Sequence, residues 1–178
     1  MTIVSIDIEA DGPIPEQNSM LALGAVAFTN DGIELGEFYR KLYPLADAVQ
    51  NPMTMTWWQT QSAAWKEATY NQEPALDVMS DYAKWFLSFK YPVMLAAPSG
   101  FDFTFVRYYL CKFIGVNWKW HNCIDLRSFL MMKRGKYHGS YKKGLKIKHT
   151  HIAVEDAREQ AQYFFAAWRE CEHTISTT

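Results

Sequence analysis

Long apolar runs are missing from this chain of 178 residues. None approaches the roughly 20 residues needed to cross a bilayer, so no membrane partner is expected. The opening stretch, MTIVSIDIEADG, has no basic region leading into an apolar segment, and no secretory signal is expected either. Cysteine is scarce: Cys111, Cys123 and Cys171 are widely spaced, odd in number and form no CxxC pair. That disfavours a zinc site or a disulfide framework and makes a reduced, cytoplasmic setting the expectation. Pro/Gly/Ser tracts, internal repeats and linkers are also lacking, which argues against disorder and for one domain spanning residues 1–178. With 49% apolar and 16% aromatic residues, a chain of this length can bury a substantial core.

Net charge is nearly absent too, at −1, but its distribution is uneven. Between Leu126 and Val154 there is no Asp or Glu, while eight of the eighteen Lys/Arg fall there: Arg127, Lys133, Arg134, Lys136, Lys142, Lys143, Lys146 and Lys148. The remainder carries ten basic residues against all nineteen acidic ones. The ordinary reading of such a run is a solvated loop. Tyr137 and Tyr141 interleave the lysines, however, and Gly135, Gly139 and Gly144 keep the stretch pliable. Cations that neutralise phosphates beside rings that stack on bases suit a single strand of nucleic acid.

Hydrophobic patterning predicts a short first strand over Thr2–Ile8 and further strands over Met20–Phe28 and Gly32–Leu42. The last two are joined as a hairpin through the turn Asn30-Asp31-Gly32. One helix or two short ones are expected between Pro52 and Trp65. Leu76, Met79, Tyr82, Ala83, Phe86 and Leu87 repeat at helical spacing after Pro74. A buried strand over Pro92–Ala97, a helix over Phe101–Phe113, a strand near His121–Ile124 and a helix over Leu126–Met132 follow. The last helix is expected from about Val154 to Cys171. Early strands followed by alternating helices and strands indicate an α/β fold with a mixed sheet.

Asp7 and Glu9 close the first strand, two residues apart and so on one face, with Ile6 and Ile8 on the other. Adjacent carboxylates repel, and a divalent cation between them is the usual remedy. Ligands in open α/β sheets bind at the carboxyl ends of strands, which favours a functional pair over a frayed strand end. Asp102 falls at the carboxyl edge of a second strand, and Asp156 at the start of the last helix. An aspartate in a first helical turn commonly does no more than complement the helix dipole, and that reading stays open for both. His151 precedes Asp156 by five positions, and His149 is an equally available imidazole by composition.

Taken together, Asp-x-Glu on the first strand, Phe-Asp opening a central helix and His-x-Ala-x-x-Asp on the last helix resemble the DEDDh (DnaQ-like) group of 3′–5′ exonucleases. These share the RNase H-like fold with the proofreading exonuclease subunit of bacterial DNA polymerase III. The three motifs stand in family order from Asp7 to Asp156. The stretch Met53-Thr54-Met55-Thr56-Trp57-Trp58-Gln59 is similar, more loosely, to a smaller branch containing a mycobacterial exoribonuclease and phage exonucleases. Departures exist: Ala10 stands where the family often has threonine, Pro98 where it often has asparagine, and Ala22-Leu23-Gly24-Ala25 where it often has Glu-Ile-Gly-Ala. None removes an acidic position.

The resemblance implies a central mixed five-stranded sheet with one antiparallel strand, flanked by helices. It implies metal-ligand roles for Asp7, Glu9, Asp102 and Asp156, a general-base role for His151, and two Mg²⁺ or Mn²⁺ ions, which carboxylate oxygens suit. The reaction would release nucleoside 5′-monophosphates from the free 3′ end of single-stranded RNA or DNA, with RNA slightly favoured. Backbone near Ala10 would meet the terminal ribose, Met20 and Phe101 are candidates for apolar contact with the last base, and Lys142, Lys143 and Lys146 would hold the upstream backbone. The alternatives are a DNA-specific exonuclease, a catalytically silent nucleic-acid-binding module, and an interaction domain in which an exposed Trp57–Trp58 patch supports a homodimer or another partner.

Overall fold

In the computed structural model, residues 1–115, 122–134 and 150–175 are described. Strands β1 (Thr2–Ala10), β2 (Met20–Phe28) and β3 (Glu34–Lys41) come first. Helices α1 (Pro52–Trp58), α2 (Ser62–Thr69) and α3 (Ala75–Leu87) follow, then β4 (Pro92–Ala96), α4 (Asp102–Phe113), β5 (Cys123–Asp125), α5 (Leu126–Arg134) and α6 (Ala153–Ile175). The strands form one sheet in the order β3-β2-β1-β4-β5. β2 runs antiparallel to both neighbours, while β4 and β5 run parallel to β1 and to each other. This is the mixed five-stranded sheet with one antiparallel strand that the family resemblance implies.

All nine residues of β1 are buried, as expected of a central strand covered on both faces. Val4, Ile6, Ile8 and Ala10 join the larger core, with Tyr82 and Phe86 of α3 and Phe105 and Tyr109 of α4. Ile3 lies in the second core, with Val154, Ala157, Ala161 and Phe164 of α6. The sheet is therefore sandwiched between α3 and α4 on one face and α6 on the other. The turn at residues 30–32 forms as predicted: Gly32 donates its N–H to Thr29 and takes a left-handed φ of +83°.

Parallel pairing of β4 with β1 ends at Ser5↔Leu95, whereas the antiparallel ladder to β2 continues to Ala10↔Met20. The last turn of β1 thus projects past β4 and leaves room for the loop that leads into α4. On the other face α6 lies so close to β2 that a Cβ on Gly24 would stand 2.2 Å from backbone atoms of Ala153 and Val154. Since Gly24 is the register partner of Asp7, that approach sets the start of α6 beside the acidic end of β1.

Several boundaries differ from expectation. β1 runs on to Ala10 because β2 keeps pairing beyond the last isoleucine. The helical stretch after Pro52 divides in two, with a break at Gln59-Thr60-Gln61. β5 is short and displaced to Cys123–Asp125. Cys111 and Cys123 are free thiols. No helix among the described residues is long and apolar enough to cross a membrane.

Candidate active site

Three parallel strand ends and the start of α6 meet at one edge of the sheet. β1 contributes Asp7 and Glu9, the junction of the β4–α4 loop with α4 contributes Phe101 and Asp102, and β5 passes directly into α5, which carries Arg127. Asp125 ties two of these segments together. Its Oδ2 accepts the Ser99 N–H and its Oδ1 the Ser128 N–H, each at 2.7 Å, so one carboxylate caps α5 and pins the loop ahead of Asp102.

Asp7, Glu9, Asp102 and Asp156 are all buried, the most exposed of them at 8%. Asp102 occupies the first position of α4 and its Oδ1 accepts the Ile8 N–H at 3.4 Å. Asp156, in the first turn of α6, reaches back along the chain. Its Oδ1 accepts the Thr150 N–H at 3.1 Å and its Oδ2 the His151 N–H at 3.0 Å. Asp156 therefore does more than sit in a first helical turn: these bonds fix the backbone of His151. Ligating atoms of Glu9, His151 and Asp156 all lie within 4.8 Å of one another.

Electrostatics within this group are unfavourable on their own. Burial, followed by the charges of Asp102, Glu9 and Asp156, holds the Asp7 carboxyl well above the ordinary aspartate range. Glu9 is raised by burial and by Asp156 and Asp102. Burial pushes Asp102 up to about 7, against the opposing pull of its backbone hydrogen bonds and of Arg127. A cleft of about 310 Å³ opens onto these groups, lined also by Ala10, Gly12, Thr54, Trp57, Phe101 and His151. Arg127 is the one Lys or Arg among the described residues that line it.

Asp7, Glu9, Asp102 and His151 thus line one cleft, with Asp156 beside Glu9 and His151. The family model described as the 3′-5′ exoribonuclease Rv2179c-like domain matches residues 2–168. The chain belongs to that family. Membership in the Rv2179c-like family makes it a 3′–5′ exonuclease acting on nucleic acid. A relative from Escherichia coli, the 3′-5′ DNA exonuclease Cap18, is 29% identical over 177 residues, covering 90% of this chain and 88% of its own. A PolC-type DNA polymerase III from Thermotoga petrophila is 26% identical over 92% of this chain, which corresponds to 12% of the polymerase.

The same fold occurs in E. coli exonuclease I in complex with a dT13 oligonucleotide, with a TM-score of 0.79 and 14% identity. The match covers 99% of this chain and 43% of that chain, so this chain spans less than half of exonuclease I. S. pombe Pop2p in its Mg²⁺- and Mn²⁺-bound form matches with a TM-score of 0.71 and 14% identity, over 92% of this chain and 81% of its own.

The residues present fit divalent cations. Asp102 Oδ2 is buried with no hydrogen-bond partner among the described residues, a costly state for a carboxylate oxygen unless a cation faces it. The rest of the donor set is carboxylate oxygen with one imidazole, which suits hard ions such as Mg²⁺ and Mn²⁺.

Some expected contacts fall elsewhere. Met20 is fully buried in the core, donates its N–H to the Tyr109 hydroxyl at 2.8 Å and does not line the cleft; the base contact expected of it is withdrawn. Ala10 and Phe101 do line the cleft. Lys142, Lys143 and Lys146 lie outside the described residues. Trp57 and Trp58 do not form a shared exposed patch: Trp58 is 2% exposed, and Trp57 turns into the cleft wall. The observation that would have supported a homodimer is therefore absent. Gln160 was not anticipated: its Nε2 donates to Asp7 Oδ1 at 2.7 Å. Its place four residues after Asp156, on the same helix face, was the available signal.

Proposed function

We propose that this chain hydrolyses single-stranded nucleic acid stepwise from a free 3′ end, releasing nucleoside 5′-monophosphates, with RNA slightly favoured over DNA. The observation that carries the proposal is that Asp7, Glu9, Asp102 and His151 line one cleft, with the Asp156 carboxylate within 4.8 Å of the ligating atoms of Glu9 and His151. The family description favours RNA, while Cap18 is a DNA exonuclease, so the sugar preference is the finer part of the reading.

In this scheme Asp7, Glu9, Asp102 and Asp156 hold a pair of Mg²⁺ or Mn²⁺ ions. When bound, such ions neutralise the phosphodiester and make water a stronger nucleophile at neutral pH. His151 stands at the rim of the same acids and accepts the proton of the attacking water. Water oxygen bonds to phosphorus, the 3′ oxygen of the preceding nucleotide leaves and is protonated, and the strand ends in a new 3′ hydroxyl. Arg127 offers a guanidinium to the phosphate on the α5 side of the cleft. Ala10 and Phe101 border the space for the terminal nucleotide, and the basic run with Lys142, Lys143 and Lys146 holds the backbone upstream.

The test is digestion of a 5′-labelled oligonucleotide, RNA and DNA in parallel, with Mg²⁺ or Mn²⁺. The expected result is a ladder shortening from the 3′ end, lost in Asp7→Ala and faster on RNA. Tight binding with no shortening would instead make the chain a silent binding module, and a faster DNA ladder would reverse the sugar preference.

A further inference from the structure

Helix α1 carries two adjacent tryptophans, and the structure gives them different tasks. Asn51 caps the helix, its side chain accepting the Met53 and Thr54 N–H groups at 3.0 and 3.1 Å, and its own N–H bonds the Asp11 carbonyl at 2.9 Å. Trp58 donates Nε1–H to the Ala10 carbonyl at 2.9 Å, and its ring lies 5.3 Å from that of Trp65. The helix is thereby fastened at both ends to the segment that follows Glu9. Trp57 cannot turn inward with Trp58, because neighbouring residues on a helix diverge by about 100°. It shares the cleft-facing side with Thr54, three positions earlier, and remains 38% exposed.

The Trp57 ring stands 4.9 Å from the His151 imidazole, at an interplanar angle of 83°. Near-perpendicular aromatic pairs of this kind are attractive and directional. His151 has a left-handed φ of +56°, a conformation that a residue with a Cβ keeps only when its surroundings enforce it. Asp156 holds its backbone N–H, and Trp57 meets its ring. We infer that Trp57 is a positioning residue for His151: anchored through α1 to the strand that bears Asp7 and Glu9, it keeps the imidazole oriented toward the acids. This inference rests on the exonuclease reading above, since it assigns Trp57 a role through the proposed base. It makes the tryptophan pair a brace across the cleft, Trp58 gripping the acidic strand and Trp57 the imidazole.

A ring at a cleft wall has a rival use, as a platform for a nucleobase, and kinetics separate the two. Wild type, Trp57→Ala and Trp57→Phe are compared on one single-stranded oligonucleotide with Mg²⁺. Positioning predicts that kcat of Trp57→Ala falls by about 10- to 100-fold, because small misplacements of a reacting group are costly. KM stays within about threefold, and Trp57→Phe, which keeps a ring, recovers most of the rate. A raised KM with kcat unchanged would assign the ring to substrate binding and overturn the inference, as would unchanged kinetics. A second measurement needs neither metal nor substrate: the His151 ring signals in ¹H–¹³C NMR spectra should shift in Trp57→Ala as the indole ring current disappears, and unmoved signals would overturn the contact itself. Trp57→Leu replaces Trp57→Ala if the latter melts below the assay temperature. If wild type cuts nothing, the exonuclease reading fails while the NMR result still judges the Trp57–His151 pairing.

Discussion

Gln160 and Asp7, 153 residues apart in the chain, share a buried hydrogen bond of 2.7 Å from the amide Nε2 to the carboxylate Oδ1. The amide opposes the rise that burial and three neighbouring acids impose on Asp7. It also fixes the direction in which the carboxylate presents its second oxygen. Partners behind a ligand commonly contribute 10- to 100-fold to metal affinity or rate, roughly the loss expected for Gln160→Ala. Calorimetric Mn²⁺ titration and single-turnover cleavage should fall together. Equal affinity and equal rate would show that the amide serves packing alone.

The acid cluster predicts that the protein is least stable where it is most charged. Below the ordinary aspartate value of 3.8, Asp102 is protonated whether the chain is folded or not; between there and about 7 the folded protein keeps a proton that the unfolded chain has released. Stability therefore falls as pH rises through that window and levels out above it. Asp7 and Glu9, raised for the same reasons, act in the same direction. In chelator, the melting temperature should be lower at pH 8 than at pH 5, and added Mn²⁺ should raise it more at pH 8. Asp102→Asn should melt above wild type at pH 8 in chelator while cleavage drops at least about 100-fold. A melting temperature that climbs from pH 5 to pH 8 in chelator would contradict the repulsion inferred here.

Which features were legible follows from what each kind of residue signals. Met20–Phe28 was bounded correctly because polar Asn18-Ser19 and Thr29-Asn30 frame an unbroken apolar run. Asp7 and Glu9 stand out because adjacent carboxylates are costly at the end of an apolar strand, whereas Asp102, His151 and Asp156 stand out only through the family pattern that their order resembles. Trp57 and Trp58 were not separable, since composition cannot tell which of two adjacent rings faces the interior. Met20 is a candidate only through the family resemblance, and its side chain belongs to the core. Gln160 carries no charge, and its place four residues after Asp156, the available signal, puts it on the right helix face without showing that its amide reaches Asp7. Asp125 carries no signal in the sequence, because its bond to the Ser99 N–H depends on tertiary placement and its bond to the Ser128 N–H is an ordinary helix cap.

The lysines of the basic run make a prediction about salt. Each cation that contacts a phosphate of a single strand contributes about 0.7 to the slope of log affinity against log salt. Replacing Lys142, Lys143 and Lys146 together by glutamine should flatten that slope by about two and weaken binding at low salt. Fluorescence anisotropy with a labelled oligonucleotide across a salt series measures both. The catalytic rate at saturating substrate should be nearly unchanged, because the proposal has the segment gripping upstream of the reacting bond. An unaltered slope would return the segment to an ordinary solvated loop.

Gly24 offers the sharpest test of how the fold assembles the site. Its Cα lies beneath the first turn of α6, where an added methyl would meet Ala153 and Val154 backbone at 2.2 Å. A flexible side chain could yield to such a methyl, but helix backbone yields only by moving the helix. Overpacking typically costs about 1–3 kcal/mol, and for a protein of this size each kcal/mol lowers the melting temperature by about 2–4 °C. Gly24→Ala should therefore melt roughly 6–12 °C lower, at the upper end of that range, because the clash is with backbone. The shift would also carry Asp156 and His151 away from Asp7 and Glu9, since they sit at the displaced end of α6. Cleavage should fall further than stability alone explains when measured well below the new melting point. A variant that melts lower but cuts at the wild-type rate at that temperature would show that α6 can withdraw without opening the acid cluster.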